Sequence, residues 1–146
     1  MIHESLTIDE IQDMLNKQSW LLGISWVSSD MRDIFAGIDE WNERCTLALE
    51  MYINSMVKYI WAYAALLWWV DAIVLTAGVM EHRAIVRKML LEKLWVLWII
   101  LDKKANQDEL SWITKISTLD SQVAVFVIPT DEERMIAEET LKLVNN

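Results

Sequence analysis

The chain has 146 residues, enough for one domain with a buried core. Its formal net charge of −9 excludes a nucleic-acid partner held through phosphate contacts. The single cysteine, Cys45, excludes an intrachain disulfide and fits a reducing compartment. No basic segment with an apolar core opens the sequence, so we expect no signal peptide.

The first part of the chain predicts short helices. Thr7 and Glu10 have the spacing of a capping box, so a helix should begin just after Thr7. Residues 17–29 are polar and predict a turn. Asp30 then predicts the start of a short helix, where Asp30 and Arg32 would form a surface ion pair that contributes little to stability.

A long helix is predicted over residues 38–67. Residues 59–69, at its C-terminal end, are apolar nearly all round and should be buried. Asp71 is the only charged residue between residues 59 and 80, a length that could span a bilayer. Because a charge near the bilayer centre costs about 2.5–3.5 kcal/mol on insertion scales, we expect no membrane partner.

Five of the six residues from Ala72 to Ala77 are apolar, several are β-branched, and Gly78 follows them. This pattern predicts a short strand buried on both faces, as in parallel sheets covered by helices. Gly78 should adopt a backbone geometry closed to other residues, and a helix should follow over residues 81–94. Such a connection suits a phosphate or a nucleotide, and an ordinary strand-to-helix turn has the same pattern.

The last part of the chain predicts further strands and a final helix. Residues 96–101 and 113–119 predict extended segments, and residues 123–128 predict a second buried strand. Thr130 and Glu133 have capping-box spacing and predict a helix that continues to about residue 144. This order of elements predicts an α/β fold with a small, mostly parallel sheet flanked by helices.

Five sequence blocks, in this order along the chain, resemble the C-terminal part of acetate kinase. They are Leu21–Ser25, Val27–Ile34, Asp71–Gly78, Ile116–Thr118 and Val127–Glu133. The run Ser-Ser-Asp-Met-Arg-Asp-Ile, which ends at Ile34, is the specific one. The resemblance implies that residues 1–146 are the C-terminal part of a nucleotide-binding domain, an incomplete domain with the actin-like (ribonuclease H-like) ATPase fold.

The resemblance also implies a nucleotide site. The residues that match family positions for ATP are Asp30, Met31, Arg32, Gly78, Val79, Met80, Glu81 and His82. The first three match the Asp-Met-Arg on the adenosine side of the nucleotide. The other five match a Gly-Ile-Gly-Glu-Asn loop, from which Met80 and His82 depart, and the bulk of Met80 is expected to crowd the nucleotide. Glu132 matches the glutamate that helps to hold Mg²⁺, and a carboxylate that stabilises a helix N-terminus is the alternative.

The resemblance implies transfer of the γ-phosphoryl group of ATP to acetate, which gives acetyl phosphate and ADP, with Mg²⁺ as cofactor. It also implies a cytoplasmic enzyme that is a homodimer at full length. The family's catalytic Arg and His residues precede the matched region, so no catalytic residue is assigned and the fragment alone should be inactive. The alternatives are a non-catalytic remnant that packs against a partner, and a small membrane hairpin protein.

The chain has nine tryptophans and only three glycines. Seven of the tryptophans stand where the family pattern ordinarily has glycine: Trp20, Trp26, Trp41, Trp61, Trp68, Trp69 and Trp98. We hypothesise that the natural protein has glycine there, because some uncultured bacterial lineages read UGA as glycine. Codons of the type UGG at these positions would contradict the hypothesis.

Overall fold

The computed structural model describes residues 6–18, 20–108, 110 and 112–144. The chain forms two compact units that divide after Lys58. The helices are α1 (Ile8–Lys17), α2 (Trp20–Ser25), α3 (Met31–Asp39), α4 (Glu43–Leu67), α5 (Gly78–His82), α6 (Ala84–Glu92) and α7 (Glu132–Val144). The strands are β1 (Ala72–Leu75), β2 (Thr114–Lys115) and β3 (Ala124–Val127), and Trp95–Leu97 form a 3₁₀ turn.

The first unit contains α1 to α3 and most of α4. The predicted capping box is present, because the Thr7 hydroxyl accepts from the Glu10 N–H at 3.3 Å and the Glu10 carboxylate accepts from the Thr7 N–H at 2.8 Å. The predicted turn over residues 17–29 is wrong, since residues 20–25 form α2. Most residues of α2 are apolar, and Leu21 on this helix packs into the core of the unit, which favours a helix over a polar turn.

The predicted long helix begins later than expected, because α3 extends to Asp39 and α4 starts at Glu43. The Asn42 side chain accepts from the Arg44 N–H at 2.9 Å and from the Cys45 N–H at 3.2 Å, as an N-cap does. The expected burial of residues 59–69 is wrong. Tyr59 is 67% exposed, and every residue from 59 to 69 is exposed or half-buried.

The second unit contains a three-stranded sheet in the order β1-β3-β2. Strands β1 and β3 pair in parallel from Ala72 opposite Ala124 to Leu75 opposite Val127, and the shorter β2 pairs antiparallel with β3. This arrangement confirms the predicted α/β fold and its small, mostly parallel sheet. The predicted burial of β1 on both faces is wrong, because Ile73 and Leu75 are buried while Val74 is 53% exposed.

Two predicted elements of this unit take another form. The predicted extended segment over residues 96–101 is present only at its end, since Trp95–Leu97 form the 3₁₀ turn and Leu101 makes an antiparallel bridge with Ser117. The predicted helix over residues 81–94 starts earlier and is interrupted at Arg83, whose φ of −129° and ψ of 93° are extended. Among the described residues, no helix is both long and apolar enough to cross a membrane.

Four tryptophans occupy left-handed backbone conformations. The φ angles are 60° at Trp26, 63° at Trp41, 63° at Trp68 and 53° at Trp98, and all four side chains are exposed. Because a Cβ makes this conformation costly and glycine adopts it freely, the geometry supports the glycine hypothesis at these four positions. Trp20 and Trp61 lie within helices, and Trp69 has no positive φ, so the backbone gives no such support there.

Candidate functional site

The residues predicted to bind nucleotide and metal in the second unit follow two neighbouring parallel strands. Helix α5 follows β1, and α7 follows β3, so both connections leave the same edge of the sheet. The Ile128 N–H donates to the Leu75 carbonyl at 3.0 Å, and the Thr76 hydroxyl donates to the Ile128 carbonyl at 2.8 Å. In open α/β sheets this carboxyl edge is where ligands bind.

The special backbone geometry predicted at Gly78 occurs one residue earlier. Ala77 has φ 65° and ψ 159°, a conformation that is almost exclusive to glycine, whereas Gly78 has no positive φ. Among the residues that the structure describes, a methyl group added to Gly78 would meet no atom within 4 Å beyond its own helix and chain neighbours. Gly78 therefore leaves exposed, open main chain at the start of α5.

The side chains of Met80 and Glu81 point into the protein, because α5 packs this side of its single turn onto the core. Met80 is 6% exposed and Glu81 is 7% exposed. A buried Met80 side chain does not lie on the surface that a nucleotide would approach, so the structure does not support the expected crowding. Val79 is half-buried, and His82 is exposed on the surface.

The Glu81 carboxylate connects the two strand-following segments. Its Oε1 accepts from the Ala77 N–H at 2.6 Å, the Thr130 N–H at 3.1 Å and the Thr130 hydroxyl at 3.0 Å. The predicted capping box of Thr130 is wrong, because its hydroxyl binds Glu81 and α7 starts only at Glu132. Asp131 lies between them with φ 46°, a conformation that Asp and Asn tolerate better than most residues.

Arg87 is a buried residue of this region that sequence reasoning missed. Its guanidinium is fully buried and donates to the carbonyls of Met80 (2.6 Å), Glu81 (3.0 Å) and Gln107, and to Oδ1 of Asn106 at 2.7 Å. Burial lowers the pKa of Arg87. The sequence contains one indication of this role, because Arg87 falls on the apolar face of the helical pattern of α6. A cation at such a position is buried and needs hydrogen-bond acceptors.

Glu132 lies exposed in the first turn of α7. In the described part of the chain, no group of three or more His, Cys, Asp or Glu residues could hold a metal ion. A single carboxylate is still a suitable partial ligand, because Mg²⁺ usually takes one or two carboxylates and completes its shell with water and substrate phosphates. The exposed carboxylate of Glu132 therefore has the chemistry of a single Mg²⁺ ligand.

The first unit carries the Asp30-Met31-Arg32 run at the start of α3. Asp30 is the N-cap, and it accepts from the Arg32 N–H at 2.8 Å. The Arg32 guanidinium also donates to both oxygens of Asp30, at 2.6 Å for Nη2. These hydrogen bonds hold the pKa of the Asp30 carboxyl at about 2, below its ordinary value. The predicted ion pair is confirmed, and most of the Arg32 side chain stays exposed.

Solved structures define the fold class of the chain. It superposes on an acetate kinase from Porphyromonas gingivalis with a TM-score of 0.78 and 40% identity over 95% of the chain. It superposes on an acetate kinase from Entamoeba histolytica with a TM-score of 0.81 and 33% identity over 94% of the chain. The chain covers 35% and 37% of these two structures. Their fold is the actin-like ATPase fold, which confirms the predicted fold class.

The Acetokinase family matches residues 1–138. Acetate kinase from Halothermothrix orenii is 42% identical over 146 residues, which are all of this chain and 36% of that protein. The chain belongs to the acetokinase family, as its sequence blocks predicted. It spans about a third of the length of the curated relatives it matches.

Proposed function

We propose that the chain is the C-terminal third of an acetate kinase and supplies part of its site for ATP and Mg²⁺. The full enzyme would transfer a phosphoryl group from ATP to acetate. The observation that best supports this proposal is the shared sheet edge, where α5 and the start of α7 are joined through Glu81 and Thr130. Family membership is the support for this reaction.

In the second unit, the exposed main chain at Gly78 is the surface proposed for the nucleotide. In the described part of the chain, no atom beyond its own helix and chain neighbours lies within 4 Å of an added Cβ, so a ligand can approach the backbone closely. Val79 and His82 would contact the nucleotide from the same turn of helix. Met80 and Glu81 would support this turn from within, because their side chains are buried.

In the first unit, Arg32 is proposed to contact the adenosine side of the nucleotide. Its side chain is 87% exposed, and Asp30 fixes the orientation of the guanidinium through two of its nitrogens. A fixed planar cation is suited to stacking and to charge-assisted hydrogen bonds. Met31, which is half-buried beside it, would support this contact.

Glu132 is proposed as a Mg²⁺ ligand. When bound, Mg²⁺ neutralises charge on the nucleotide phosphates and polarises the phosphoryl group. The chain's own contribution is to present one carboxylate at the start of α7. None of the residues assigned here matches the catalytic Arg and His of the family. We therefore propose that this chain binds the nucleotide but does not catalyse the reaction on its own.

The proposal extends to the whole protein. At full length it would be a cytoplasmic homodimer that binds ATP or ADP and acetate or acetyl phosphate. Family membership is the support for these statements.

Binding of ADP to the full chain tests the assigned residues. In ¹⁵N–¹H spectra, ADP with Mg²⁺ should shift the amides of Arg32, Gly78 and Val79. Arg32→Ala should weaken binding about 10-fold, because it removes roughly 1.4 kcal/mol of contact energy. Glu132→Ala should reduce the gain in ADP affinity that Mg²⁺ provides.

Two matched controls come from α7. Arg134→Ala removes an exposed arginine that pairs with Glu138, and Glu138→Ala removes the carboxylate of the same pair. Neither should alter ADP binding. Shifts confined to other parts of the chain, or equal effects of the control and test variants, would contradict the assignment.

A further inference from the structure

The Glu81 carboxylate is buried, unlike a side chain that would contact a nucleotide at the surface. The residue is 7% exposed, and its Oε1 already accepts hydrogen bonds from Ala77 and Thr130. Hydrogen bonds from N–H groups to a carboxylate are stronger than those between neutral groups, and burial strengthens them further. The side chain therefore serves the protein's own geometry.

We propose that Glu81 is a positioning residue, which fixes the start of α7 and so sets the place of Glu132 relative to the turn Gly78–His82. The proposal rests on the proposed function for the role of Glu132. Thr130, which Glu81 holds through both its N–H and its hydroxyl, is two residues before Glu132. A small displacement of Thr130 is therefore passed on to the carboxylate that would bind Mg²⁺.

Helix α7 needs this connection because apolar packing does not hold it. None of its residues is buried, whereas α6 of the same unit buries Val86, Leu90 and Leu91. The β3 ladder ends at Val127, and the contacts at Ile128 come from the end of β1 and from Thr76. The bonds from Thr130 to Glu81 are the next fixed points along the chain toward α7.

Glu81 is itself held at its main chain. The buried Arg87 donates to the carbonyls of Met80 and Glu81, so the last residues of α5 cannot shift without breaking those bonds. The path from Arg87 through Glu81 to Thr130 is continuous and polar. This path joins α6, the turn Gly78–His82 and the residues just before α7.

The test uses the full chain with Glu81→Ala, Glu81→Gln, Thr130→Val and Thr130→Ser. Hydrogen exchange in the absence of ligand is the first measurement. In Glu81→Ala the amides of Ala77 and Thr130 should exchange at least 10-fold faster, while the amide of Ile116, which donates to the Val125 carbonyl in the sheet, keeps its rate.

The second measurement is the ratio of ADP affinities with and without Mg²⁺. This ratio should fall about 10-fold in Glu81→Ala, as is typical when a group that orients a metal ligand is removed. Thr130→Ser should keep the wild-type ratio, and Thr130→Val should lower it in part, because only the hydroxyl bond is lost. Glu92→Ala removes an exposed carboxylate on α6 and is the control that should change neither measurement.

Unchanged exchange at Ala77 and Thr130 in Glu81→Ala would overturn the proposal. A loss of stability with an unchanged Mg²⁺ ratio, measured while the variant is folded, would also overturn it. If Glu81→Ala does not fold, Glu81→Gln and Thr130→Val decide by the same two measurements. A wild-type chain that does not bind ADP contradicts the proposed function instead, and the exchange rates then decide whether Glu81 holds Thr130.

Discussion

Replacing Trp26, Trp41, Trp68 and Trp98 by glycine together should stabilise the chain by about 2–3 kcal/mol and raise its Tm by about 5–10 °C. A left-handed conformation costs an L-residue about 1–2 kcal/mol, and glycine avoids this cost. Glycine also loses more backbone entropy on folding, which offsets about 0.5–1 kcal/mol of the stabilisation at each position. Trp26 should contribute least, because its ring lies 4.0 Å from the Arg44 guanidinium, a cation–π contact that glycine loses.

The same four positions changed to alanine are the matched control. Alanine removes the exposed aromatic surface but keeps the Cβ that disfavours positive φ, so solubility should improve while the free energy of unfolding changes little. Trp61→Gly is a second control and should destabilise by about 1 kcal/mol, because Trp61 lies inside α4. Equal stability of the glycine and alanine variants would contradict the backbone explanation.

Met80→Gly should destabilise the second unit by about 3–5 kcal/mol. The side chain is 6% exposed in the core, and its removal leaves a cavity in addition to the flexibility that glycine brings to α5. The family resemblance alone predicts a different effect of Met80→Gly, namely a more open loop and tighter nucleotide binding. Urea unfolding followed by circular dichroism measures the difference.

Met80→Leu is the control for Met80→Gly, because it keeps the buried volume and should cost less than about 1.5 kcal/mol. If Met80→Gly were as stable as the wild type and bound ADP more tightly, Met80 would be an obstruction after all. The buried position assigned to it would then be wrong.

Local chemistry was enough to predict several elements. The capping box of Thr7 and Glu10 gave the start of α1, and the β-branched runs gave β1 and β3 to within two residues. The alternation of these runs with helical segments gave the α/β class. These predictions succeeded because each depends on residues that are close in the sequence.

Long-range contacts explain what sequence reasoning missed. Thr130 binds Glu81, which is 49 residues away, so it does not cap α7 as its spacing with Glu133 suggested. The side on which Met80 lies depends on how α5 packs, which periodicity in a helix of five residues cannot define. Arg87 finds its acceptors on α5 and on a loop about 20 residues away.

This chain should be able to serve as the C-terminal third of a working acetate kinase. The direct measurement is the turnover of a chimera, in which this chain, with the four left-handed tryptophans changed to glycine, replaces the matching third of the Halothermothrix orenii enzyme. The chimera should form acetyl phosphate from ATP and acetate. Arg32→Ala should chiefly raise the KM for ATP, and Glu132→Ala should make activity demand more Mg²⁺. A chimera that folds, with a cooperative thermal transition like that of its parent, and yet forms no acetyl phosphate would contradict the claim and favour a non-catalytic remnant.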